Sequence, residues 1–431
     1  MPAPQPIAPT HHGTPATLRA LLPYWPVTAA AFLGWFLDAF DQTVLLFTLP
    51  DIASSLGCTL AAMGGVLFVQ SLGRAAGNTG WGWLADRHGR KPAFMLGVVW
   101  FGVFSALTGL THSLVTMMVV QFCFGMGFGG EWTASATLLM ETVPARLRAM
   151  ASALMMTGYE SGYLLAAGAQ ALILPHYSWR VLFFIGLAPA LLALFVRLGV
   201  GESPLWLAER RSTAEAPGPK ATSAPPLRWT PLAVQAVLFM VFLEFQKAAI
   251  YTFYPTILRQ WHHLSPQALF WPVALYCLGS LGGKLGCGWL ATRWGEGRIM
   301  MGAIIISALM AWPFLCAPNG PLLLASAFIM GTSASGVFAL VPHWLAKRFP
   351  TRERSFGMGL SYALGSIGQG VAGKVIPLLG RTPATLPLAA IGLVLGGSAA
   401  AVLTLTWQPS LLGEDGDASE KATPKVPRSQ G

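Results

Sequence analysis

Apolar runs of about 20 residues follow one another along this chain, divided by short polar breaks. A helix rises 1.5 Å per residue, so about 20 residues cross a hydrocarbon core roughly 30 Å thick. Inside lipid every backbone polar group must be satisfied within its own segment, which makes each run a helix. Twelve spans are predicted, at 27–50, 60–84, 92–111, 114–139, 149–173, 179–200, 232–257, 267–290, 299–317, 320–345, 355–378 and 385–407. Six precede and six follow a polar stretch that holds Glu209-Arg210-Arg211 and a run rich in Pro, Ala, Thr and Ser. The predicted organisation is a flexible cytoplasmic N-terminus (1–24), a six-helix bundle (25–201), a cytoplasmic linker (202–229), a second six-helix bundle (230–408) and a disordered cytoplasmic tail (409–431).

The two halves repeat each other without a gap. A shift of 206 residues carries Gly73, Gly77 and Gly80 onto Gly279, Gly283 and Gly286, and Gly125 onto Gly331. Gly82-Trp83-Leu84-Ala85 meets Gly288-Trp289-Leu290-Ala291, and Gly89 meets Gly295. Asp38 falls on Glu244, and Asp41 on Lys247. Two similar bundles in an apolar chain face each other, and charges at equal depth converge between them. Small residues at such spacing let helix backbones approach closely.

Composition narrows the class. Of the 431 residues, 54% are hydrophobic and only 10% charged, against roughly a quarter charged in a soluble domain. The net charge of +10 does not point to nucleic acid, because its distribution is topological. Twenty of the 27 Lys and Arg fall at the termini and on alternate loops, while Arg180, Arg259 and Arg381 fall on the other side. That asymmetry predicts both termini in the cytoplasm of a bacterial-type inner membrane. The five cysteines are scattered, with no CxxC pair and no His cluster, so neither a disulfide framework nor a metal site is expected. Residues 1–24 lack the pattern of a cleavable signal peptide.

The loop after the second span reads Gly82-Trp83-Leu84-Ala85-Asp86-Arg87-His88-Gly89-Arg90-Lys91. It resembles the signature loop of the major facilitator superfamily, and its echo at 288–298 extends the resemblance over nearly the whole chain. The resemblance implies an all-α membrane protein of twelve transmembrane helices in two pseudo-symmetric six-helix bundles. Gly34-Trp35-Phe36-Leu37-Asp38-Ala39-Phe40-Asp41, Arg74, Gly129-Gly130-Glu131-Trp132 and Glu202-Ser203-Pro204 further resemble the proton symporters of the sialate and lactate branch. Three departures stand out. The seventh span carries Lys247 and lacks the branch's His and Asp, which puts the usual substrate in question. Gln121 replaces a frequent Arg of the fourth span, and Thr292 stands where the first loop has Asp86.

Ionisable groups within spans cost on the order of 3 kcal/mol each, so each is a functional hypothesis. Asp38 lies roughly 16–18 Å into the first span, and Arg74 roughly 18 Å from the same face on the second. Glu244 shares that depth, with Lys247 one turn on. An arginine fork grips a carboxylate with two hydrogen bonds, and a desolvated acid gains protons more readily. Arg74 and Lys247, with Tyr159, Tyr251 and Tyr254, are therefore the candidate substrate contacts. Asp38, Asp41, Glu131 and Glu244 are the candidate proton carriers. In the expected cycle the substrate carboxylate competes with Asp38 for Arg74, and the displaced Asp38 takes a proton. The competing reading is a structural Asp–Arg pair. Glu160 is a further cavity candidate. Lys284 is expected to snorkel to the cytoplasmic surface, and Lys374 reads as structural.

The repeat also exposes a charge swap. Arg90 and Glu141 become Glu296 and Lys347 after 206 residues, with both signs inverted together. This predicts two helix-end pairs, Arg90–Glu141 and Glu296–Lys347, at a cytoplasmic gate. Asp86 and Arg148 join the first of them, Asp86 facing a helix N-terminus.

The expected function is proton-coupled symport importing a small organic anion, a carboxylate, by alternating access. The expected partners are the anion, the proton and the bilayer, and the protein is expected to work as a monomer without a cofactor beyond the proton. A drug/proton antiporter would carry a Gly-Pro pair in the fifth span, where Gly162 is followed by Tyr163. A transporter-like sensor would need an added signalling domain. A membrane enzyme would need a metal-ligand spacing or a nucleophile–base pair, and neither is present.

Overall fold

The computed structural model describes residues 18–187, 229–349 and 354–407, and every regular element among them is helical. The first half holds α1 (Trp25–Ser55), α2 (Leu60–His88), α3 (Arg90–Gly109), α4 (Leu114–Thr142), α5 (Ala145–Ile173) and α6 (Trp179–Ile185). The second holds α7 (Pro231–Tyr251), α8 (Tyr254–Gln260), α9 (Pro266–Trp294), α10 (Glu296–Leu309), α11 (Ala311–Cys316), α12 (Pro321–Met330), α13 (Val341–Ala346), α14 (Arg354–Leu379) and α15 (Leu386–Thr406). These account for all twelve expected spans, the sixth by its first turns. Most of the expected linker and all of the expected tail lie outside the described residues.

Side-chain caps start several helices where the apolar runs begin. Ser113 and Thr116 form a capping box at α4, Thr230 accepts from the Ala233 amide at α7, and Ser265 accepts from the Ala268 amide at α9. The turns between α2 and α3 and between α9 and α10 each close on one residue, Gly89 (φ 108°) and Gly295 (φ 85°). A side chain would be strained there, so the signature loop needs glycine at both equivalent places.

Three spans are broken. The seventh bends at Thr252–Phe253, just before Pro255, whose missing N–H cannot continue the helix. The ninth divides at Met310, shortly before Pro313. The tenth passes from α12 through a π-turn at Gly331–Ser335 and a 3-10 turn at Val337–Ala339 before α13. Such irregular backbone inside a membrane bundle marks a wall facing protein or a cavity rather than lipid.

The repeat is visible in the packing itself. A Cβ on Gly73 would strike the Phe122 carbonyl, and one on Gly279 would strike the Phe328 carbonyl, 206 residues on in both cases. Gly77 meets Met126 as Gly283 meets Thr332, and Gly125 meets Gln70 as Gly331 meets Tyr276. Thus α2 lies on α4 as α9 lies on α12. The halves meet along two seams, α2 against α14 and α5 against α9. At the first seam a Cβ on Gly64 would come within 2.6 Å of the Gly373 carbonyl.

Among the described residues, five stretches are long and apolar enough to cross a membrane by length and composition: Leu21–Ser55, Pro231–Gln260, Pro266–Ala291, Pro321–Leu345 and Leu386–Thr406. The long α2 and α5 dilute their apolar residues with glycines and with Arg74, Asn78 and Glu160, which line the interior.

Candidate functional site

A cavity of about 330 Å³ lies between the halves. It reaches from a tyrosine cluster at mid-depth to His343 and Leu285, near the end of the bundle where α1 begins. The His343 side chain there is 70% exposed. Towards the other end the cavity is capped. Tyr163 and Tyr251 pack as tilted rings with centroids 4.4 Å apart, and Tyr254 stacks on Phe314 at 4.0 Å. Beyond this cap, Arg259 of α8 makes a forked ion pair with Asp51 of α1, Nη2 donating to Oδ1 at 2.9 Å. Arg259 Nη1 also donates to the Phe47 carbonyl at 3.2 Å. This cross-half link has a plain sequence signal, one of only three basic residues on its side of the membrane, but its partner is not readable from spacing.

Charged residues line the cavity wall in three groups. Arg74 on α2 donates from Nη1 to the neutral amide oxygen of Gln369 on α14 at 2.8 Å, and its guanidinium lies 4.1 Å from the Phe128 ring centroid. Its Nε is buried and finds no hydrogen-bond partner among the described residues. The carboxylates of Glu244 and Asp38 are within Coulombic range of it. On α7, Lys247 pairs with Glu244 at 3.3 Å and lies 4.7 Å from the Phe338 ring centroid. Across the second seam, Lys284 and Ser280 of α9 both donate to Oε1 of Glu160 on α5, at 2.5 and 2.9 Å. Aromatic rings of Trp35, Tyr159, Tyr251 and Tyr276 also line the wall, and the Tyr159 hydroxyl donates to Gln42 at 3.0 Å.

The expected substrate contacts Arg74, Lys247, Tyr159 and Tyr251 thus share one cavity. Tyr254 does not: the bend before Pro255 turns it into the cap. Of the expected proton carriers, Glu244 lines the cavity. Asp38 on α1 is fully buried, within Coulombic range of Arg74. Asp41 faces away, its Oδ1 pressed against Gly186 beyond α6. Lys284 corrects its expectation. It does not snorkel to the surface, because Glu160 holds it in the cavity. Lys374 is exposed at the rim of α14, 5.5 Å from the Phe68 ring centroid.

At the helix ends near the mouth, Lys347 donates to Glu296 at 2.8 Å, and His343 lies 3.6 Å from the same carboxylate. The side chains of Asp86, Arg90, Glu141 and Arg148, which form the other expected cluster, and that of Glu131 lie outside the described residues. Gln369 and the Glu160–Lys284 pair are what the reading of charges missed. The repeat held the signal for the latter, since Lys284 is the equivalent of Asn78 and Ser280 of Arg74.

A family model described as Major Facilitator Superfamily matches residues 31–245 and again 236–429. A probable 4-methylmuconolactone transporter of Cupriavidus pinatubonensis is 31% identical over 352 residues, covering 79% of this chain and 80% of that protein. The sialic acid transporter NanX of Escherichia coli is 29% identical over 354 residues, covering 80% and 85%. A crystal structure of a D-xylose-proton symporter shares the fold, with a TM-score of 0.71 at 17% identity over 90% of this chain and 98% of its own.

Proposed function

This chain belongs to the Major Facilitator Superfamily and is a multi-pass membrane transporter, not an enzyme, and on that footing we propose that it imports a small organic acid as the anion together with protons. One observation carries the reading. Arg74 stands at the seam of two related halves, in the cavity wall, with its hydrogen bond spent on a neutral amide and a buried Nε to spare. A guanidinium so placed has charge and donors left for a carboxylate. Among the described residues lining the cavity, Arg74, Lys247 and Lys284 outnumber Glu160 and Glu244 by one positive charge, and Asp38 near Arg74 offsets that charge until it takes a proton, which leaves room for one anion. The aromatic walls favour a flat, partly apolar body behind the acid group. The relatives named as carriers of a muconolactone and of sialic acid agree with a small acid as cargo.

The coupling reading starts from Asp38 and Glu244, both within Coulombic range of Arg74. An anion bound at Arg74 screens its charge, so the two acids lose a stabilising neighbour and gain protons more readily. The loaded, neutralised site then reorients. Basic loops put the open mouth on the cytoplasmic side of a bacterial inner membrane, so this is the inward-facing state, with Asp51–Arg259 closing the outer side. The Glu296–Lys347 pair and its first-half counterpart belong to the inner gate. The protein works as a monomer, with the acid, the proton and lipid as its partners.

Purified protein in liposomes tests this with labelled benzoate, 4-methylmuconolactone and sialic acid. An inward pH gradient should drive accumulation of at least one, and a protonophore should collapse it. Accumulation indifferent to the protonophore removes proton coupling. Extrusion of a cationic dye with no acid uptake replaces the reading with an antiporter.

A further inference from the structure

The two seams are equivalent by the repeat: α2 corresponds to α9, and α14 to α5. Each seam carries one cavity cation bonded across to the other half, Arg74 to Gln369 and Lys284 to Glu160. They differ in the acceptor. A neutral amide does not titrate, so the bond it makes to the cation of the first seam is the same whatever the proton supply. A carboxylate leaves the cation of the second available only when the carboxylate is protonated or displaced.

We infer that Glu160 is a further coupling carboxylate and Lys284 a second, proton-controlled contact for the substrate's acid group; this rests on the function proposed above. Glu160 takes both its bonds on Oε1, and both come from the opposite half. Its Oε2 is buried with no hydrogen-bond partner among the described residues. In the outward-open state a proton arriving from the outer side bonds to Oε2 and leaves Glu160 neutral. Lys284 then keeps its charge without a counter-ion and turns to the incoming carboxylate. No other bond forms or breaks. When the halves rock, this seam must part, and parting a buried ion pair strands two charges. A neutral Glu160 and an anion-bound Lys284 avoid that, which links movement to proton and cargo together.

The groups around the pair are consistent with this role. Tyr276 and Cys277 on α9 and Tyr159 on α5 surround Glu160, and Lys247 on α7 adds a positive charge near Lys284. His343 on α13 stands at the mouth. On α1, which packs on α5, Asp38 is near Arg74 and Asp41 is against Gly186.

The test compares two assays on the same liposomes, pH-driven accumulation of labelled benzoate and benzoate counterflow without a gradient. In Glu160→Gln the ratio of accumulation to counterflow should fall at least tenfold, and Glu160→Asp should recover part of it. Should Glu160→Gln fail to give monodisperse protein, Glu160→Gln/Lys284→Gln removes both charges, and the same fall is expected. Equal loss in both assays means a structural pair, and accumulation like wild type means no coupling role; either overturns the inference. No counterflow of benzoate, 4-methylmuconolactone or sialic acid by the wild type overturns the function itself, and this inference with it.

Discussion

Arg74 and Lys284 show how much a single acceptor decides. Both are cations in an apolar bundle, and both cross a seam to the other half. Arg74 is legible in the sequence because arginine at mid-depth has few uses other than holding an anion. Lys284 is not, because its sequence distance from the helix end allows snorkelling, and only the neighbouring Glu160 forbids it. Charge-assisted hydrogen bonds contribute roughly 1.5–3 kcal/mol each. Arg74→Lys keeps the charge but loses the fork, so half-saturation for benzoate counterflow should rise by about tenfold or more. An unchanged value removes Arg74 from the binding site.

At the scale of elements, the repeat sorts glycines that look alike in sequence. Gly73 and Gly279 face backbone carbonyls of the neighbouring helix, whereas at Gly80 and Gly286 an added methyl would meet nothing within 4 Å. Overpacking a close contact costs roughly 1–3 kcal/mol, while alanine in an open helical site is favourable by about 1 kcal/mol. Thermal melts in detergent should therefore drop for Gly73→Ala and Gly279→Ala, and hold or rise for Gly80→Ala and Gly286→Ala. A drop in all four would mean that the spacing, and not the carbonyl contact, sets the requirement. The broken seventh span teaches the same lesson. Its hydropathy continues to residue 257, but Pro255 turns Tyr254 out of the cavity and into the cap.

For the whole molecule, the closed end rests on a cross-half fork between Asp51 and Arg259, and the cavity opens at the other end. The ion pair is partly exposed, with side chains 27% and 19% accessible, so it contributes about 1.4 kcal/mol at most. Arg259→Gln should shift the population towards the outward-open state by up to about tenfold. Spin labels on the loop after α1 and the end of α8 would read this as a longer distance. A distribution identical to wild type would show that the aromatic cap alone holds this end shut.

Run length, the 206-residue echo and the asymmetry of basic loops were enough to specify twelve helices in two related halves, because lipid thickness and backbone satisfaction leave a helical chain few alternatives. They also placed Asp38, Arg74 and Glu244 at one depth, with Lys247 one turn on, since depth follows from counting residues along a straight helix. Rotation about the helix axis does not follow from counting. Whether Asp41 meets the cavity or Gly186, whether Lys284 meets solvent or Glu160, and which residue completes Arg74 depended on how neighbouring helices turn their faces. Only packing across the two seams decided that.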